Sequence, residues 1–178
     1  SKLYSYKINL DVIMWIKSFL FNRRQRVRIN SIFSIWREVL SGIPQGSILG
    51  PLLFIIFIND LVGNCHNGSD LFLYADDAKL FRLISCDNDV DLLQKDLLYI
   101  QSWMEKWLLK LNITKCKVVS FGHHIDFLHE YYLQSEGSFL VLDHLDSIKD
   151  LGVTFDSKLK FDKHINEKVN KSYSVLGL

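Results

Sequence analysis

The sequence predicts an α+β fold with antiparallel strands, on three observations. Several stretches place apolar residues at helical spacing, short apolar runs meet in pairs at turn-forming residues, and the strict alternation of strand and helix that builds parallel sheets is missing. Ile13, Ile16, Phe19 and Leu20 share one helical face that closes at Asn22. Arg26-Val27-Arg28-Ile29-Asn30 then alternates polar with apolar residues. That is the period of a half-buried strand, and a second strand around Trp36 to Leu40 is expected to pair with it as a hairpin.

Ser41-Gly42-Ile43-Pro44-Gln45-Gly46-Ser47 is turn chemistry, with Ser47 as N-cap of a mostly apolar helix that runs to about Asp60-Leu61. A polar loop follows from Gly63 to Asp70. Leu71 to Tyr74 and Ala78 to Ile84 read as two short strands meeting at Ala75-Asp76-Asp77. The clearest helix is capped by Asp87 or Asn88, with Val90, Leu93, Leu97, Ile100, Met104, Trp107, Leu108 and Leu111 in one apolar stripe. This stripe is read as core packing, not as a cofactor box. Strands are expected at Lys117 to Phe121 and near Tyr131 to Leu133, Phe139 to Leu142 and Leu151 to Phe155. A last amphipathic helix carries Ile165, Val169 and Leu176.

With 178 residues, 48% hydrophobic and 23% charged, the chain is long enough to bury a core and too short for several domains. A net charge of +1 does not advertise a polyanion partner for the molecule as a whole. Charge is concentrated locally instead. Arg23, Arg24, Arg26 and Arg28 crowd one early segment, and five lysines from Lys158 to Lys171 crowd the end. The three cysteines, without a CxxC pair, predict reduced thiols in an intracellular protein and argue against a disulfide frame or zinc module. The first residues hold no apolar signal-peptide segment. The greasiest run, Ile48 to Ile58, is interrupted by Gly50 and Pro51 and is shorter than the ~20 residues a bilayer span needs, so a buried helix is expected and no membrane partner.

Tyr74-Ala75-Asp76-Asp77 demands a chemical explanation. Adjacent carboxylates at the tip of an apolar hairpin repel each other, and a fold gains little from them unless a cation neutralises both. Mg²⁺ suits the place, because it takes hard oxygen ligands and lets substrate phosphates complete its octahedron; Mn²⁺ is the alternative ion. Asp-Asp alone is ordinary turn composition. The stretch from Ser41 to Phe54, closed by Asn59-Asp60-Leu61, changes the reading, since no generic buried helix needs that order of Pro, Gln and Gly.

SGIPQGSILGPLLFIIFINDL followed by LYADDAKLF resembles motifs B and C of the reverse transcriptases of LINE-type non-LTR retrotransposons, in the jockey and CR1-like range. WIKSFLFNRRQRV is similar to the segment before motif B, LQKDLLYIQSWMEKWLLKLNITKCKVVSFG to the helix and motif D, and KDLGVTFDSKLKFDKHI to the passage from palm to thumb. The resemblance implies a polymerase palm-like antiparallel sheet packed on helices, partial, with residues 1–155 as palm and 156–178 as the start of the thumb. It implies RNA-directed DNA polymerisation from dNTPs on an RNA template and a DNA primer, in the nucleus.

By the same resemblance Asp76 is the motif C metal ligand, with Asp77 assisting. Gly42, Pro44, Gln45 and Gly46 form the turn against which template base and nucleotide pack, with Tyr74 as a further contact. Lys115 matches the motif D lysine that neutralises departing pyrophosphate. Asp150, Leu151 and Gly152 lie where the family grips the primer end, and Arg23, Arg24, Arg26 and Arg28 are expected on the nucleic-acid path. One feature of the pattern has no counterpart here: the motif A aspartate, expected upstream of WIKSFL, whose place Asp11 does not match. The resemblance therefore leaves two functions open, a polymerase fragment whose site needs that carboxylate, and a degenerate remnant acting at most as a nucleic-acid-binding or interaction module. An unrelated metal-dependent phosphohydrolase leaves the Pro44 to Phe54 stretch unexplained.

Overall fold

A computed structural model describes residues 2–44, 46–63, 65, 67–122, 129–135 and 137–177. The chain divides into two compact units, Ser1–Asn64 with Leu73–Asp77, and Cys65–Phe72 with Ala78–Leu178. Helices and strands are mixed, as the α+β reading requires.

In the first unit, a short helix α1 (Lys2–Ser5) precedes α2 (Leu10–Leu20), which Asn9 caps by accepting the Asp11 N–H at 2.8 Å. Ile13 and Ile16 supply its buried face. The expected hairpin forms, but as two short ladders: β1 (Arg24–Gln25) pairs with β4 (Arg37–Glu38), and β2 (Arg28–Ile29) with β3 (Ile32–Phe33). Between them the Ser34 hydroxyl accepts the Val27 N–H at 2.9 Å and takes the place of a ladder carbonyl. All four strands are exposed on both faces, so the half-buried strand read from the alternation is corrected.

α3 (Leu49–Val62) closes the unit. Its assigned cap position is Ile48, yet the bond expected of a cap is made by Ser47, whose Oγ accepts the Gly50 N–H at 3.0 Å. The expectation of a buried helix holds for Gly50, Ile58 and Leu61 only; Leu52, Ile55 and Val62 face solvent. Its C-terminal polar residues hold α1. Lys2 Nζ donates to the Phe57 carbonyl and pairs with Asp60 Oδ1 at 2.5 Å, and Asn59 Nδ2 donates to the Tyr6 hydroxyl at 3.0 Å.

The strands β5 (Asp70–Tyr74) and β6 (Asp77–Phe81) pair as a two-stranded sheet at the passage from one unit to the other. In the second unit α4 (Asp87–Lys106) is capped at Cys86, not at Asp87 or Asn88, and Asp89 reaches back to accept the N–H groups of Ser85 at 2.9 Å and Cys86 at 3.2 Å. Arg82 clamps the same carboxylate at 3.0 Å. Together these donors, the Ser85 N–H first, hold the Asp89 pKa down to about 2.

A 3₁₀ turn at Ile113–Lys115 leads into β7 (Lys117–Val118), shorter than the strand expected there. β8 (Tyr132–Ser135) and β9 (Ser138–Val141) form an antiparallel hairpin, and β10 (Asp143–His144) returns parallel to β7. Tyr131, Leu133 and Leu142 form a buried cluster, with Val90, Leu93, Leu97, Leu111, Ile113, Cys116 and Val118 packed on it. Two glutamines of α4 close the edge of β8. Gln94 exchanges two hydrogen bonds with the Tyr132 backbone, 2.9 and 3.0 Å, and Gln101 two with that of Gln134, 2.5 and 2.8 Å.

β11 (Ser147–Asp150) and β12 (Val153–Asp156) make the next antiparallel hairpin. Leu151 and Gly152 are its tip, not the start of a strand as the sequence reading had it. α5 (Asp162–Leu176) follows, tied back where the Thr154 N–H donates to His164 Nδ1 at 3.2 Å. Its apolar residues Ile165, Val169 and Leu176 are exposed. Every sheet among the described residues is two-stranded, and the β10–β7 pair departs from the antiparallel expectation. Among the described residues no helix is long and apolar enough to cross a membrane.

Candidate active site

Tyr74 ends β5 and Asp77 opens β6, so Ala75 and Asp76 alone make the loop. Ala75 takes a left-handed φ of 51°, which a tight hairpin needs at this point and which a side chain resists. Asp76 and Asp77 are exposed, and among the described residues no hydrogen bond or ion pair reaches either carboxylate. Tyr74 beside them is exposed as well. A hard divalent cation such as Mg²⁺ matches these donors in kind, since both are carboxylate oxygens. Among the described residues no group of three or more His, Cys, Asp or Glu gathers to hold a metal, so the pair offers part of a coordination shell.

The turn before α3 belongs to the same compact unit as the hairpin tip. Gly42 and Gly46 have φ values of 85° and 79°, and a Cβ on either would touch nothing within 4 Å, so what they supply is backbone conformation, not space. Gly50 supplies space. A Cβ there would lie 3.2 Å from Ser47 Oγ and 3.3 Å from the Pro44 carbonyl, which itself accepts the Ser47 hydroxyl at 2.9 Å. The sequence reading gave Gly50 no role; its signal was a glycine at the start of an apolar helix. Gln45 lies outside the described residues.

The four arginines fall on the exposed hairpin, where residues 23 to 40 carry five arginines against a single acidic residue, Glu38. Three of them lie over aromatic rings, and Arg28 Nε also donates to the Asn30 carbonyl at 2.9 Å. The Arg26 guanidinium lies 3.9 Å from the Phe33 ring centroid and 4.5 Å from that of Trp36, Arg28 lies 5.4 Å from Phe33, and Arg23 lies 5.5 Å from Phe19. Arg24 is exposed on β1. A small cleft here is lined by Gln25, Arg26, Val27, Ser34, Ile35 and Arg37. Phe33 and Trp36 were missed as functional candidates, because hairpin register brings them to Arg26 and no local pattern announces it.

Lys115 and the Leu151-Gly152 tip belong to the second unit. Lys115 is exposed in the 3₁₀ turn. Leu151 and Gly152 both have positive φ, 45° and 87°, and Asp150 just before them pairs with Lys79 at 2.6 Å. Burial pushes the Cys65 and Cys116 thiols up, which disfavours the thiolate at both.

Against known proteins, the family model described as reverse transcriptase (RNA-dependent DNA polymerase) matches residues 1–155. The chain is 34% identical over 165 residues to a probable RNA-directed DNA polymerase from transposon BS of Drosophila melanogaster, which covers 89% of this chain and 18% of that protein. It is 32% identical to the RNA-directed DNA polymerase from the mobile element jockey of the same organism, over 84% of this chain and 17% of that protein. A jockey polymerase of Drosophila funebris is 33% identical over 92% of this chain and 18% of its own length. The chain thus spans less than a fifth of the length of the curated relatives it matches. No solved structure matches it.

Proposed function

Because this chain belongs to the reverse transcriptase (RNA-dependent DNA polymerase) family, of the kind found in non-LTR retrotransposons, we propose that it forms part of a polymerase palm in which Asp76 and Asp77 are catalytic metal ligands. One observation carries the reading: two adjacent carboxylates stand exposed and unpartnered among the described residues, at the tip of a two-residue loop held by a left-handed Ala75. Such an arrangement has no structural return and suits a site that meets its cation and phosphates from outside.

The reaction joins the primer 3′-oxygen to the α-phosphorus of a dNTP. The bond from that phosphorus to the pyrophosphate oxygen breaks, and the hydroxyl proton passes to solvent water. A divalent ion, when bound, stabilises charge on the attacking and leaving oxygens. Asp76 would hold it with Asp77 beside, together with the motif A carboxylate that the family resemblance places on another strand. The turn at Gly42, Pro44, Gln45 and Gly46, with Tyr74, packs against template base and nucleotide. Lys115 neutralises departing pyrophosphate, and Leu151 and Gly152 support the primer end. Residues 156–178 lead into the thumb.

Arg23, Arg24, Arg26 and Arg28 meet phosphates along the template or primer. What supports this is the hairpin's charge and its exposed rings, since arginine and aromatic faces together suit single strands. The partners are therefore an RNA template, a DNA primer and dNTPs, with work in the nucleus.

The test is primer extension on an RNA template by a chain extended upstream to include motif A. Extension that Asp76→Asn abolishes is expected. Extension indifferent to Asp76→Asn removes the metal-ligand assignment.

A further inference from the structure

Resting on the polymerase reading above, we infer that the Lys79–Asp150 ion pair, whose two members lie in the second unit, is a positioning device that holds Lys79 of β6 against the end of β11. Lys79 Nζ lies 2.6 Å from Asp150 Oδ2. Lys79 is two residues beyond Asp77 on β6, and side chains two apart on a strand share a face. Asp150 is the last residue of β11 and pairs with Val153 across the hairpin, so the bridge grips β11–β12 at the pair that closes its tip.

The tip itself is built against ordinary preferences. Leu151 sits at φ 45°, a left-handed conformation that a branched apolar side chain resists, and that side chain is exposed. Two left-handed residues are what a two-residue hairpin loop requires, so turn geometry sets the Leu151 backbone and leaves its apolar side chain facing solvent. The bridge is partly open to solvent, with side-chain exposures of 37% for Lys79 and 29% for Asp150. Exposed ion pairs contribute little to stability. Their geometric effect is a different matter in a reaction governed by positioning, where a displacement of about 1 Å costs up to about a hundredfold in rate.

The experiment uses the polymerase-active chain extended upstream, as unaltered protein and as Asp76→Asn, Lys79→Met, Asp150→Asn and the reversal of Lys79→Asp with Asp150→Lys. Primer-extension kcat, the KM for dNTP and the thermal midpoint are read for each. Each single neutralisation is expected to lower kcat by about tenfold or more, with KM and midpoint nearly unchanged, and the reversal is expected to restore most of the loss. Single variants within about twofold of the unaltered protein overturn the inference, as does a reversal no better than the singles, or a loss that follows the thermal midpoint. Full activity in Asp76→Asn sinks the polymerase reading of the hairpin, whereas full activity in Lys79→Met beside a dead Asp76→Asn sinks the positioning role alone.

Discussion

The hairpins β5–β6 and β8–β9 are built from similar material and arranged to opposite ends. β8–β9 turns Leu133 wholly out of solvent, and its backbone edge is closed by Gln94 and Gln101 of α4. β5–β6 ends in two exposed carboxylates that nothing among the described residues neutralises. One hairpin satisfies its own polar groups and anchors a core. The other leaves two carboxylates exposed, and under the proposed function this contrast predicts that stability and activity will separate when each is altered.

The largest expected effect on stability is at the core. Leu133→Ala removes a fully buried side chain at the centre of the cluster and should cost about 2 to 5 kcal/mol, read by urea denaturation. Asp76→Asn should fall within about 0.5 kcal/mol of the unaltered chain in the same measurement, since it loses no contact. A comparable loss at both positions would erase the contrast.

The glutamine clamps come next. Gln94→Ala or Gln101→Ala strands an N–H and a carbonyl of β8 together, and each should cost about 1 to 3 kcal/mol, with hydrogen exchange accelerated at Tyr132 or Gln134. No change in exchange would mean that water replaces the amide freely.

Acid sharpens the comparison further. Folding lowers the Asp89 pKa from 3.8 to about 2, so its contribution is fully present above the ordinary value and is lost as pH falls through about 2. Asp89→Asn should therefore show a shallower decline of the thermal midpoint over that window than the unaltered chain. Equal slopes would assign the acid response elsewhere. The smallest effect is at Leu151: replacement by Gly should raise stability by about 1 kcal/mol or less by relieving its left-handed backbone.

How much of this was legible in the sequence follows from where each signal resides. α4 could be read from its stripe as far as Ile100 and Met104, but the helix ends at Lys106, short of Trp107, Leu108 and Leu111, and Leu108 is exposed instead of packed. The β5–β6 hairpin could be read because apolar runs flank an acidic pair, and Asp76 could be singled out because charge at such a tip has no packing return. The cap of α4 is not legible because Cys86 is a poor capping type and the backbone N–H groups are taken by Asp89 reaching backward. β11 escaped because Ser147-Ile148-Lys149-Asp150 has the composition of a loop and becomes a strand through its partner. The β10–β7 pair, two residues on each side, carries no periodic signal at all. Gln94 and Gln101 carry no signal in the sequence because their partners are backbone groups of β8, and the pairing of Lys79 with Asp150, 71 positions apart, depends wholly on tertiary structure.

The central claim is that Asp76 and Asp77 form one side of a divalent-metal site. Mn²⁺ titration followed by electron paramagnetic resonance tests it most directly, on the 178-residue chain and on a chain extended upstream through motif A, each with and without Asp76→Asn. The account predicts weak binding by the shorter chain, tightening on the order of tenfold or more in the extended one, and loss of that tightening in Asp76→Asn. Equal affinity in the two chains, or tight binding that survives Asp76→Asn, would contradict it.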